Sequence, residues 1–176
     1  MVFGNALEER IRQRAGLDAV AACIGMTQNE EVNLLFIRRV REEFKIPRLL
    51  LVLEGHITEK IIHASRGKIL FGAKTDVDLW SLRLRRQTAT ESCWRCSRIE
   101  KLAVSEIIAI PKNLTNAFVL IAFKQGRKVA PVEDGITFEK GDELTLIIFN
   151  EKRDDVAAWL AAQGLDPIAN GTVAKS

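Results

Sequence analysis

Residues 18–53, DAVAACIGMTQNEEVNLLFIRRVREEFKIPRLLLVL, decide the fold of the first half of the chain. The apolar runs at 18–25 and 48–53 have the length and composition of strands buried on both faces. A helical pattern lies between them, with its apolar positions at Val32, Leu35, Phe36, Val40 and Phe44. Pro47 ends that helix because it lacks an N–H. A strand–helix–strand unit of this length predicts a parallel sheet with helices on its faces.

The helix begins at a polar stretch with two interpretations. Thr27 and Glu30 stand at the spacing of a capping box, in which each side chain bonds the other residue's backbone N–H. Gly25, Met26 and Thr27 also join a strand to a helix N-terminus, where an anion is stabilised. The sequence leaves open whether these residues hold an anion or only cap the helix.

More elements extend this pattern in both directions. We expect a short helix over 7–17 that ends near Gly16, a helix over 57–65 and a strand over 68–71. A further helix begins after Asp76 with Val77, Trp80 and Leu84 on one face. Half a parallel sheet exposes an edge and an apolar face, which another segment or a second copy would cover.

Residues 83–101 differ in composition from their surroundings. They contain six basic and two acidic residues and no long apolar run. This predicts a connector and a domain boundary near residue 98. The basic residues form either a site for phosphate, acidic lipid or nucleic acid, or a solvated helix and linker.

The last part of the chain indicates strands joined by turns. Expected strands are 104–110, 117–123, 127–132 and 144–149, with a hairpin at Lys124–Gly126, turns at 133–135 and 140–142, and a helix over 154–163. The fold class is therefore α/β, with a parallel sheet and helices, followed by a small α+β domain. The predicted domains are 1–98 and 99–165, with a flexible tail at 166–176.

Composition excludes several classes of protein. The 176 residues are 47% hydrophobic and carry a net charge of +3, too small to argue for nucleic acid. The longest uncharged runs have eleven residues, whereas a membrane-spanning helix needs about 20. We expect no secretory signal, and three cysteines favour a reducing cytosolic setting.

The chemistry-bearing residues are few. Cys93 and Cys96 form a CxxC, which binds zinc or cycles as a redox pair in some proteins and is incidental in others. His56 and His63 fit surface histidines best. No hydrolase or phosphate-loop motif is present, so we expect no catalytic residues and no enzymatic activity.

The C-terminal part resembles the RCK C-terminal (TrkA-C) domain, a ligand-sensing module of K+ channels and cation–proton antiporters. That family's motif is a proline after an apolar strand, then a Gly-Asp turn before the next strand. It falls here on Pro131, Phe138, Gly141, Asp142 and Leu144. Gly141 and Asp142 suit the tight turn.

The first part resembles the second half of the companion Rossmann-type RCK N-terminal domain. Gly4-Asn5-Ala6 stands where the family has Gly-Asp-Ala, residues 15–20 match its passage into the fourth strand, and residues 29–33 and 46–48 match two later motifs. Asn5 replaces the usual Asp, and no G-x-G-x-x-G is present. The resemblance implies that the parallel sheet is a partial Rossmann-like one. It also implies ligand-binding residues at Gly4, Asn5, Ala6, Gly25, Met26 and Thr27.

The resemblance also implies a function. The chain would be a cytosolic, homodimeric regulatory domain for monovalent cation transport by a cation–proton antiporter or K+ transport system. Its membrane partner would be on the same chain or a separate subunit at the inner face of the membrane, and its effector an adenine nucleotide or NAD(H). Two alternatives stay open: a truncated nucleotide-dependent Rossmann oxidoreductase, and a CxxC zinc or redox module.

Overall fold

The computed structural model describes residues 2–55 and 67–168. Its contacts divide the chain into a first unit, residues 1–70 and 74–77, and a second unit, residues 71–73 and 78–176. The helices are α1 Glu9–Arg14, α2 Glu30–Glu43, α3 Val77–Arg85, α4 Val104–Ile108 and α5 Arg153–Ala162. The strands are β1 Ala22–Gly25, β2 Arg48–Leu51, β3 Lys68–Ile69, β4 Ala89–Cys96, β5 Lys101–Ala103, β6 Phe118–Gln125, β7 Lys128–Pro131, β8 Thr137–Glu139, β9 Glu143–Phe149 and β10 Leu165–Pro167.

The first unit contains the predicted parallel sheet. Its strand order is β1-β2-β3, and both pairings are parallel. Helix α2 connects β1 to β2, and its apolar residues share one core with Cys23 of β1 and Leu49 and Leu51 of β2. The prediction of an α/β unit is therefore confirmed.

Strand β1 is not buried on both faces, contrary to the sequence prediction. Along β1, Cys23 and Gly25 are buried while Ala22 and Ile24 are exposed. The reason is its place in the sheet, because β1 lies at an edge in the described part of the chain. The central strand β2 behaves as expected, with Leu49, Leu50 and Leu51 all buried.

Helix α2 buries a different stripe from the one that its apolar pattern indicated. Its buried residues are Glu30, Asn33, Leu34, Ile37 and Val40, and Leu35 is exposed. The sequence VNLLFI contains two overlapping apolar stripes, so period alone does not choose between them. The polar Asn33 lies on the buried stripe because it bonds backbone groups of the strand ends, as described below.

Helix α1 is held on the first unit by a buried ion pair. The guanidinium of Arg12, 3% exposed, donates from Nε to Glu43 Oε2 at 2.7 Å and from Nη2 to Glu43 Oε1. Its Nη1 donates to the carbonyl of Ala6 at 2.9 Å. Arg12 thus fastens the start of the chain to the end of α2. Gly16, at φ 67°, follows the helix as predicted.

The second unit is built on a five-stranded sheet of order β10-β4-β9-β6-β7, in which all pairings are antiparallel. The predicted hairpin joins β6 to β7, with Gly126 at φ 59°. Strand β9 alternates strictly, with Leu144, Leu146 and Ile148 buried. Helix α5 and a small β5–β8 pair complete an α+β unit, as predicted.

The predicted connector is wrong. Residues 89–96 form β4, an inner strand of the five-stranded sheet that pairs with β9 and β10. Its basic and acidic side chains are on the exposed positions, whereas Ala89, Trp94 and Cys96 are buried. The charges hid a strand that is buried on both faces, because Ala89 joins one apolar cluster and Trp94 and Cys96 join another. The expected boundary near residue 98 consequently lies inside the second unit.

Two further predictions in this unit are corrected. Residues 104–108 form helix α4 rather than a strand, because Glu106 accepts the Ala103 N–H at 2.7 Å and Val104 and Ile107 are buried one helical turn apart. On α3, Trp80 is buried as expected, but Leu84 is exposed. The expected helix over 57–65 and nearly all of the expected tail, beyond Ile168, lie outside the described residues.

Candidate functional site

A cleft of about 360 Å³ lies in the first unit, where β1 ends and α2 begins. It is lined by Ala6, Ile24, Gly25, Met26, Thr27, Val32, Asn33 and Phe36. Four of the six residues for which the sequence predicts ligand binding therefore meet in one place: Ala6, Gly25, Met26 and Thr27. Their role in binding stays a prediction.

The other two predicted residues, Gly4 and Asn5, lie beside the cleft lining rather than in it. The Asn5 side chain accepts the Leu7 N–H at 3.0 Å and so forms a local turn before α1. Gly4 has φ 149°, and a Cβ there would lie 2.7 Å from Ile11 Cδ1. Both residues shape the chain's entry into α1.

The side chain of Asn33 connects the ends of β1 and β2. Its Oδ1 accepts from the Thr27 N–H at 2.7 Å and from the Thr27 hydroxyl at 2.8 Å. Its Nδ2 donates to the carbonyls of Thr27 at 2.9 Å and Val52 at 3.1 Å. A primary amide has two donors and one acceptor oxygen with two lone pairs, so all four sites are occupied.

The N-terminus of α2 is capped by Asn29. Its Oδ1 accepts from Glu31 N–H at 3.0 Å and Val32 N–H at 3.1 Å. The capping box predicted for Thr27 and Glu30 is therefore wrong, and Thr27 bonds Asn33 instead. Because the first-turn N–H groups already have a carboxamide partner, an anion would have to displace Asn29 to reach them.

The buried carboxylate of Glu30 reaches the carboxyl end of β2. Its Oε2 accepts from the backbone N–H groups of Glu54 and Gly55, both at 3.0 Å. Backbone N–H groups that follow a parallel strand are the groups that bind phosphates in many α/β proteins. Here they hold a side chain of the chain itself, and that side chain brings negative charge close to the cleft.

What remains for a ligand in the cleft is largely apolar surface. Ile24 and Met26 are 45% and 50% exposed, and Val32 and Phe36 are half-buried. Gly25 lets the strand approach the helix closely, since a Cβ there would lie 3.0 Å from the Asn33 carbonyl. The cleft therefore suits a flat or apolar group better than a phosphate.

Sequence reasoning missed the two polar residues that organise this site, Asn33 and Glu30. Both belong to α2 and are almost fully buried. One signal was available: each stands on the helical stripe of Leu34 and Ile37, where a polar residue needs a buried partner. The partners were not predictable, because they belong to the loop after β1 and the distant end of β2.

The two cysteines of the CxxC lie on one strand and do not converge. Cys93 and Cys96 are three residues apart on β4, and strand alternation turns their side chains to opposite faces of the sheet. Cys96 is buried in the core, where burial and, second, the charge of Asp142 raise its pKa to about 11. Its thiol is therefore protonated and unreactive near neutral pH. Within residues 2–55 and 67–168, no group of three or more His, Cys, Asp or Glu side chains is placed to hold a metal ion.

Three of the six basic residues of 83–101 have separate partners. Arg83 stacks on Trp80 and Phe149, with its Cζ 4.9 and 4.1 Å from the ring centroids. Arg95 pairs with Glu143 at 2.7 Å, and Arg98 pairs with Asp166 at 3.0 Å. These three guanidinium groups are engaged within the second unit, which favours the solvated alternative over an anion site for them. His56 and His63 lie outside the described residues.

The described helices include none that is both long enough and apolar enough to cross a membrane.

Comparisons with known proteins complete the description of the site. No family model matches the chain, and no curated protein matches it significantly. Among solved structures, the chain is similar to the GsuK RCK domain (15% identity, TM-score 0.37), the GsuK channel (14%, 0.37) and the GsuK channel bound to NAD (13%, 0.35). The match covers 92% of this chain in each case, and 38%, 31% and 31% of those chains. The chain thus spans about a third of the length of these structures, and the TM-scores are too low to assign a function.

Proposed function

We propose that the chain is a cytosolic regulatory module of a monovalent cation transport system, a cation–proton antiporter or a K+ transport system. It acts by binding an effector and a partner rather than by catalysis. The effector changes the equilibrium between arrangements of paired copies, and a membrane transporter, on the same chain or a separate subunit, responds to that change. The module operates at the inner face of the membrane.

One observation carries this proposal: the residues of the RCK-type C-terminal motif have the structural roles that such a motif requires. Phe138 and Leu144 are fully buried in the second-unit core, and Gly141 turns the chain between them at φ 94°. The buried side chain of Asp142 accepts the Glu139 N–H at 2.9 Å and fixes the turn. The succession of a parallel α/β unit and an α+β unit also agrees with the resemblance.

The proposed effector is an adenine nucleotide or NAD(H), bound at the cleft of the first unit. Gly4, Asn5, Ala6, Gly25, Met26 and Thr27 surround this cleft or lead into it. The apolar side chains of Ile24, Met26 and Phe36 provide contacts for a planar base. The phosphates would extend away from the N-terminus of α2, which Asn29 already caps.

The two alternative functions receive less support. No catalytic motif in the sequence supports a Rossmann oxidoreductase. A CxxC zinc or redox module needs two thiols that converge, and Cys93 and Cys96 lie on opposite faces of β4. Neither alternative accounts for the turn that joins the buried residues Phe138 and Leu144.

A thermal-shift titration tests the effector site. The full chain is heated with ATP, ADP, AMP, NAD+ or NADH, and a nucleotide at 100 times its dissociation constant should stabilise the chain by about 2.7 kcal/mol. The variant Ala6→Trp narrows the cleft at an exposed lining position, and Ala162→Trp adds the same ring to an exposed position on α5. We expect the shift to disappear in Ala6→Trp and to persist in Ala162→Trp.

Three outcomes contradict parts of the proposal. If no nucleotide raises the midpoint temperature of unfolding, the chain does not sense these effectors. If Ala6→Trp keeps the full shift, the nucleotide binds elsewhere.

The transport role is tested by Rb+ and Na+ flux in cells with and without the protein, and equal fluxes would show that it does not regulate cation transport.

A further inference from the structure

The cleft of the first unit has an uncharged lining among the described residues. Arg12 contacts this lining, because its Nη1 donates to the carbonyl of Ala6 at 2.9 Å. Its charge is already paired with Glu43, and the side chain is 3% exposed. A phosphate group in the cleft would therefore meet no unpaired cation on the described lining, although phosphate sites in proteins commonly supply one.

Asn29 occupies the groups through which a helix N-terminus binds phosphate. Its Oδ1 accepts from the N–H groups of Glu31 and Val32 at 3.0 and 3.1 Å. Free N–H groups at such a position, together with the helix dipole, stabilise an anion in other proteins. A phosphate here must first break both bonds to Asn29, so its net gain in binding free energy is small.

Two carboxylates add negative charge at the same place. Glu30 is 6% exposed, and its Oε2 accepts from the N–H groups of Glu54 and Gly55 at 3.0 Å. Glu31 follows it in the first turn of α2 and is exposed. The N–H groups after β2 are those that the end of a parallel strand offers to a phosphate. Glu30 thus occupies these donors and also repels a second anion.

We propose that the cleft recognises the uncharged nucleoside part of its effector, and that Asn29 and Glu30 exclude phosphate from it. The inference rests on the proposed function and deepens it, because it names the chemical class that the site selects. The apolar side chains of Ile24, Met26 and Phe36 contact the planar base, and the phosphates stay in solvent. Such a module senses the adenosine group and not the number of phosphates that it carries.

Isothermal titration calorimetry of the full chain with adenosine, AMP and Mg2+-free ATP tests the selectivity. We expect ATP to bind no more tightly than adenosine and up to about tenfold more weakly, because its phosphates approach Glu30 and Glu31. Raising the salt concentration from about 50 mM to about 500 mM should reduce this difference in affinity by screening the repulsion. A cationic phosphate site would show the opposite dependence, with salt weakening ATP binding relative to adenosine.

Two variants test the assigned residues. Glu30→Gln removes the negative charge but keeps a carbonyl oxygen for the N–H groups after β2. Asn29→Gly frees the first-turn N–H groups of α2 at a small cost in stability. Each should raise the affinity for ATP relative to adenosine by about three- to tenfold. Because both ligands are measured on the same variant, a loss of stability alone does not change this ratio, and either variant suffices if the other fails to fold by circular dichroism.

Glu42→Gln is the matched control, because it removes an exposed carboxylate from the same helix. Residue 42 lies about 18 Å along α2 from residue 30, so the ratio of affinities should be unchanged. A wild type that binds ATP more tightly than adenosine overturns the inference and leaves the proposed effector site intact. If neither adenosine nor any nucleotide binds, the effector site is wrong and the inference with it. If folded Glu30→Gln and Asn29→Gly both keep the wild-type ratio, these residues do not exclude phosphate.

Discussion

The two units of this chain differ in the interactions that stabilise each of them internally. In the second unit seventeen buried apolar residues, counted among those described, form one core. The main core of the first unit has eight, and several of its connections are polar: Arg12 to Glu43, Asn33 to Val52, and Glu30 to Glu54 and Gly55. Because its apolar core is small, the first unit depends more on hydrogen bonds and ion pairs for its stability. These bonds fix the geometry at the strand ends, but they are lost when either partner is substituted.

The largest effect is expected in the apolar core of the second unit. Phe138 is fully buried and lies edge-on to Phe123, with ring centroids 5.5 Å apart. Phe138→Ala should reduce the free energy of unfolding by about 3–5 kcal/mol, because it removes a large side chain and leaves a cavity. Urea denaturation measures this, with the exposed Val129→Ala as control. A loss below about 1 kcal/mol would contradict the view that apolar burial stabilises this unit.

The next effect tests the polar connections of the first unit. Arg12→Met removes the bonds to Glu43 and to the Ala6 carbonyl and should cost about 1–3 kcal/mol. Arg10 pairs with Glu8 but is 80% exposed, so Arg10→Met should change stability by about 0.5 kcal/mol or less.

A double variant sharpens this comparison. Arg12→Met combined with Glu43→Leu removes the carboxylate that the single variant leaves unpaired, so it should recover part of the loss. If denaturant titrations show the same loss of unfolding free energy for Arg12→Met and Arg10→Met, burial of the ion pair does not contribute to stability.

A smaller effect distinguishes the observed helix cap from the one that the sequence indicated. Asn29→Ala removes the acceptor for Glu31 and Val32 N–H and should destabilise the first unit by about 1 kcal/mol. The substitution Asn29→Ser restores a capping side chain and should recover most of that loss. If Asn29→Ala is neutral in thermal and urea unfolding, another group caps α2.

The smallest effect concerns an exposed charge cluster on the second unit. Hydrogen bonds from Arg95 and then Lys124 lower the pKa of Glu143. A carboxylate whose pKa is lowered on folding adds stability above its unfolded pKa, and the gain is lost as pH falls through the folded pKa.

Glu143→Gln should therefore reduce the free energy of unfolding at pH 7 by less than about 1 kcal/mol, which appears as a slightly lower midpoint of thermal unfolding. The difference in midpoint between variant and wild type should shrink in acid. A difference that grows as pH falls from 7 to 3 would reverse the assigned sign.

Features that depend on interactions between residues close in sequence were predicted, and features that depend on distant residues were not. The hairpin at Gly126, the turn at Gly141 and the alternation of β9 were predicted because turn chemistry and strand period are local. The apolar stripe of α2 was misassigned because VNLLFI fits two stripes. The charged residues of β4 favour a connector when they are considered alone, whereas the buried Trp94 and Cys96 belong to a strand.

The candidate site was predicted in part for the same reason. The strand–loop–helix pattern located Gly25, Met26 and Thr27 at the end of a parallel strand, and the structure adds Ala6 to the same cleft. That Asn29, Asn33 and Glu30 occupy the polar groups there depends on contacts that no local pattern predicts. That occupancy changes the chemistry of the cleft from anion-binding to largely apolar.

Most strands, helices and turns are predictable from the sequence, because the hydrophobic period and the turn residues act over a few positions. The contacts that join these elements depend on the folded chain. Asn33 meets Val52 across 19 positions, Glu30 meets Glu54 across 24, and Arg12 meets Glu43 across 31. The same holds for the place of β1 at an edge of the sheet in the described part of the chain, because a strand's position depends on its neighbours and not on its own residues.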